Sequence, residues 1–114
     1  MLFVTLMTYK SHLSRQQLDE ASQRRARWTY PLGLELIAEY WIQGSPQVLT
    51  IIEAEEVGSV LAANYSWLDV FEITTYPALT ANEGLQALQV SGVIKRRGRR
   101  PKALSEAMRA AGSR

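Results

Sequence analysis

Two short runs, LFVTLMTY at residues 2–9 and VLTII at residues 48–52, are apolar on both faces when read with a strand's period of two. Leu2, Val4 and Leu6 alternate with Phe3, Thr5 and Met7, and Val48 and Ile52 alternate with Leu49 and Ile51. A strand of that kind needs cover on both sides, so it belongs in the middle of a sheet. A chain holding two of them folds around the pair.

The remaining segments supply the flanks. In the run from Leu34 to Ile42, the residues Leu34, Leu36, Ala38, Tyr40 and Ile42 share one face while Glu35, Ile37, Glu39 and Trp41 share the other. That mixed pattern suits a sheet edge, and Gly44-Ser45-Pro46 joins it to the second apolar run as a hairpin. Ser14 stands three residues before Gln17, a capping-box spacing that predicts a helix from about Arg15, with Leu18, Ala21, Arg25 and Trp28 on one side and Pro31-Leu32-Gly33 ending it. Glu55 and Glu56 sit where a helix N-terminus favours negative charge, and Val57, Val60, Leu61 and Asn64 follow at helical spacing up to Tyr65-Ser66. Asp69–Tyr76 is rich in β-branched and aromatic residues and reads as a fourth strand closed by Pro77.

Strand, helix, strand, strand, helix, strand is the order of the ferredoxin-like α+β fold, a four-stranded antiparallel sheet with both helices on one face. Its central strands are the first and third, the two runs that are apolar on both faces. Two helices cover only one face, so the other calls for a second copy of the sheet, and a homodimer is expected.

The segments MLFVTLMTYK, EYWIQGSPQVLTIIEAEE and SWLDVFEITTYPALTANEGL together resemble a domain-of-unknown-function family of the dimeric α/β-barrel superfamily, over roughly residues 1–88. The length and the MLF start are more distantly similar to muconolactone isomerase, of the same superfamily. The resemblance implies two sheets packed as a barrel, with pockets between sheet and helices. The superfamily includes isomerases, small monooxygenases and haem-binding enzymes, so membership selects no chemistry.

Composition narrows the classes further. The chain has 114 residues, 46% of them apolar and 21% charged, which suits one ordinary soluble domain. With no cysteine and a single histidine, neither a metal site nor a cofactor is expected. The apolar start lacks a preceding basic region and a small-residue cleavage site, so it reads as a strand in a cytoplasmic protein with no membrane partner. Charge is unevenly spread: residues 1–94 hold five cations against ten carboxylates, a net −5, and residues 95–114 hold eight against one, a net +7.

We therefore expect a barrel domain over residues 1–90 and a basic, helical C-terminal extension over residues 91–114. Thr80 and Glu83 repeat the capping-box spacing ahead of Leu85, Leu88 and Val90, and Pro101 is placed to start a last helix reaching Ala111. Lys95, Arg96, Arg97, Arg99, Arg100 and Lys102 make KRRGRRPK a candidate for nonspecific nucleic-acid binding through phosphates. The segment resembles an AT-hook with one extra arginine before Pro101.

No catalytic signature is present, and candidate site residues come from the barrel. Arg25 beside Trp28 on an apolar stripe has to find an anion, whether Glu39, Glu53, Glu72 or a ligand, or an aromatic face. Tyr9, Tyr40 and Trp41 either orient an aromatic ligand in a cavity or serve as core aromatics. Glu39, Glu53 or Glu72, if buried, would have a raised pKa and could act as a base, and His12 follows the first strand in a loop. Two readings result: a small dimeric barrel binding an anionic or aromatic ligand, or an interaction module whose tail binds nucleic acid.

Overall fold

The computed structural model describes residues 1–93, so KRRGRRPK and the expected last helix lie outside the described residues. The chain divides into two units, Met1–Ala78 and Leu79–Arg114. The first contains β1 (Leu2–Tyr9), α1 (Arg15–Arg27), β2 (Leu34–Trp41), β3 (Val48–Ala54), α2 (Val57–Tyr65) and β4 (Phe71–Ala78). The second contributes α3 (Ala81–Val90).

The four strands form one antiparallel sheet in the order β2-β3-β1-β4, the ferredoxin-like arrangement. β1 and β3 are the inner pair, with Phe3 opposite Ile52, Thr5 opposite Thr50 and Met7 opposite Val48. Directly opposed residues share a face, and these six are all buried beneath the helices. Ala21 of α1 joins Met7, Val48, Trp67, Val70 and Phe71 in one core cluster, and Val60 of α2 joins Phe3, Ile52 and Ala54 in another. Burying a side chain such as Phe3 or Ile52 contributes about 2 kcal/mol.

Local signals place the helices as their residues require. Ser14 accepts from the Gln17 backbone N–H at 3.1 Å and Gln17 Oε1 accepts from the Ser14 N–H at 2.8 Å, completing the box that starts α1. Thr80 and Glu83 do the same for α3. Gly33 begins the approach to β2 at φ 91°, and a Cβ there would meet Ser59 Oγ at 2.9 Å, so only glycine fits without a shift.

Two details depart from the sequence reading. Strict alternation fails in β2, because Leu36 opposes Ile52 while Ala38 already opposes Ile51, leaving Ile37 as a bulge. The bulge reverses the faces, so Leu34 and Leu36 share the helix side with Glu39 and Trp41, while Ala38 and Tyr40 turn to the opposite side. Pro77 does not close β4 but lies within it, opposite Phe3, as an edge strand allows where the missing N–H has no ladder partner to lose. Within Met1–Ala78, the sheet face away from α1 and α2 carries Leu2, Val4, Leu6, Leu49 and Ile51, all half-buried, with Tyr40 and Tyr76 exposed.

Candidate functional site

The bulge in β2 carries Glu39 beneath α1, and Arg25 meets it there. Arg25 Nη2 donates to Glu39 Oε1 at 2.7 Å and Nε donates to Oε2 at 3.4 Å. Tyr30 joins the same carboxylate, its hydroxyl donating to Oε1 at 2.7 Å while accepting from Arg25 Nη2 at 2.7 Å. Trp41 Nε1 donates to Oε2 at 2.8 Å. The Arg25 and Glu39 side chains are 5% and 18% exposed, so this is a buried pair in which each carboxylate oxygen has two donors.

Burial by itself would raise the Glu39 pKa, but the donors from Arg25, Trp41 and Tyr30, with the charge of Arg25, outweigh it and hold the carboxyl below its ordinary value. Glu39 is therefore an anion with its lone pairs occupied, a poor general base. Burial, followed by the bond to Glu39, pushes the Tyr30 phenol well above its usual range. Around the guanidinium stand Trp28, Tyr30 and Trp67, with Arg25 Cζ 5.0, 5.5 and 5.0 Å from their ring centres. Trp28 meets Tyr30 edge-on at 4.5 Å and Trp67 edge-on at 5.8 Å, so the rings also hold one another.

Beside this network lies a cleft of about 120 Å³, lined on the apolar side by Ala21, Val48 and Phe71 and on the polar side by Tyr9, Ser22, Arg25, Trp41 and Gln47. Ser22 Oγ donates back to Leu18 O at 3.0 Å, so the Tyr9 hydroxyl, 3.3 Å away, is the donor between the two and keeps its own lone pairs. Gln47 Oε1 accepts from the Tyr9 backbone N–H at 2.8 Å, which orients the Gln47 amide nitrogen elsewhere. Among the described residues, Arg25 Nη1 and Gln47 Nε2 make no hydrogen bond. The lining thus combines an aromatic wall with two spare donor groups and one spare acceptor.

Of the residues singled out in the sequence, Tyr9, Arg25 and Trp41 come together at the cleft. Trp28 lies behind it, packed on Arg25. Tyr40, Glu53 and Glu72 lie on the opposite sheet face, where Glu53 pairs with the Met1 ammonium. His12 borders a different depression with Arg24, Arg27, Glu20 and Asp69. Ser22, Tyr30, Gln47 and Trp67 belong to the site without having stood out in the sequence. Tyr30 had the only local signal, its position two residues beyond Trp28 at the helix end.

A family model described as "Domain of unknown function (DUF3303)" matches residues 1–92. No curated protein and no solved structure matches the chain, so the distant similarity to muconolactone isomerase gains no support. No helix among the described residues is long and apolar enough to cross a membrane.

Proposed function

The chain belongs to the DUF3303 family of unknown function, and on that premise we propose that it is a small-ligand-binding, dimeric α/β barrel of the cytoplasm. The cleft beside Arg25 is its binding site, and the ligand is a single aromatic ring carrying an oxygen function. The observation that carries this reading is the cleft of about 120 Å³ with an aromatic wall, lined also by Arg25 and Gln47, each of which keeps a donor without a hydrogen bond among the described residues. An enclosed apolar cavity of about 150 Å³ holds benzene, so this open cleft of about 120 Å³ takes a single ring with one edge left in solvent. Arg25 is already neutralised by Glu39, so the ring need not be an anion.

Binding rather than acid–base catalysis follows from Glu39, whose depressed pKa and four donors leave it little basicity. The half-buried aliphatic face of the sheet supports a second copy as its cover. The test is a titration of the full chain with phenol, followed by Trp fluorescence, with Trp41→Ala as the control that removes the wall residue. For so small a ligand, saturable quenching with Kd on the order of 1 mM is expected, and it should weaken in the variant. A linear, non-saturating response identical in the variant would refute the site.

A further inference from the structure

Trp67 is 1% exposed, and its indole Nε1 is a buried donor without a hydrogen-bond partner among the described residues. Such a group costs about 1–3 kcal/mol if it stays unpaired, so its surroundings matter. Trp67 lines a chamber of about 10 Å³ between the sheet and the helices, shared with Thr5, Thr50, Asn64, Tyr30 and Arg25. A cavity of roughly 10–15 Å³ admits one water, provided the lining offers two to four polar partners.

The lining meets that requirement. Tyr30 is committed to Glu39, and Arg25 gives it Nε and Nη2. Asn64 Nδ2 donates to Thr75 Oγ1 at 2.8 Å, and Thr75 Oγ1 lies 3.3 Å from Thr5 Oγ1, so the Asn64 amide oxygen is turned away from that chain and can accept. Thr5 and Thr50, each 2% exposed, bring hydroxyls between the apolar pairs Phe3–Ile52 and Met7–Val48 of the central strands.

We propose that this chamber is an internal hydration site: one water accepts from Trp67 Nε1–H and donates to the Asn64 amide oxygen and to the Thr50 or Thr5 hydroxyl. The water ties the segment after α2 to the two central strands and sits directly behind Arg25, which lines both the chamber and the cleft. The site stands on the chamber and the unpaired indole alone, independently of the ligand reading.

A high-resolution crystal structure of the full wild-type chain tests it, with Asn64→Leu as the comparison. The expected result is a single density peak about 2.9 Å from Trp67 Nε1 in the wild type, lost in the variant. A chamber that is dry in the wild type would overturn the proposal, as would an Asn64 side chain rotated to take the indole proton directly. A peak that persists unchanged in Asn64→Leu would overturn the assigned partners.

Discussion

Arg24 and Arg25 are neighbours on one helix, each has found a carboxylate, and their surroundings differ. Arg24 makes the better fork, Nη1 and Nη2 donating to the two oxygens of Asp69 at 3.0 Å each, yet its side chain and that of Asp69 are 43% and 63% exposed. Arg25 holds Glu39 less symmetrically but inside the protein, within a ring of aromatics. Water screens the first pair and offers both partners an alternative, so the bond lengths say little about its weight. The second pair has no alternative. Breaking it strands a charge among Trp28, Tyr30 and Trp67, and burial, rather than geometry, decides which arginine organises the site.

The largest expected effect lies at Glu39. Glu39→Ala leaves Arg25 buried and unpaired, and should lower the unfolding free energy by about 3–5 kcal/mol, measured by urea denaturation. Equal losses in Glu39→Ala and Asp69→Ala would show that burial does not distinguish the two ion pairs. The same reasoning about buried charge applies across the sheet, where Leu49 and Ile51 share the half-buried face away from the helices. If a second copy covers that face, Leu49→Lys or Ile51→Lys costs several kcal/mol and should give a monomer or an aggregate in sedimentation. Both variants remaining dimeric would exclude this face as the interface.

A smaller effect should appear with pH. The Glu39 carboxyl is held below its ordinary pKa when folded, so its contribution is complete above the unfolded value of about 4.3 and is lost as pH falls through the folded value. The wild type should therefore lose stability steadily below about pH 4, and Glu39→Gln should show a shallower fall over the same range. Asp69 is shifted in the same direction, first by its bond from Arg24, but its exposure makes the corresponding slope slight. The smallest effect is that of Asp69→Ala itself, within about 1 kcal/mol of wild type in the same denaturation series.

The parts of the fold that were legible in the sequence are those set by short-range rules. Both capping boxes and the central placement of β1 and β3 follow from spacing within a few residues, and each stands where those spacings put it. The bulge at Ile37 does not follow from spacing, because it is settled by how β2 registers against β3. That one residue decides which side Glu39 takes, and hence which of three glutamates answers Arg25. It also parts Tyr40 from the cleft that holds Tyr9 and Trp41. Gln47 and Ser22 carry no periodic signal, and their part in the cleft arises from the turn before β3 and the outward edge of α1 meeting in space.

In the proposed complex a single-ring ligand occupies the cleft against Arg25 while Glu39 holds the guanidinium in place. Chemical-shift mapping of the isotope-labelled full chain during titration with phenol locates such a ligand residue by residue. Saturable shifts should concentrate at Ser22, the Trp41 indole, Gln47 and Val48, with Tyr40 and Glu72 on the opposite face unmoved. Benzoate should bind no more tightly than phenol, since the charge of Arg25 is already balanced. Shifts scattered over both sheet faces, or confined to the depression at His12, would rule the cleft out as the binding site.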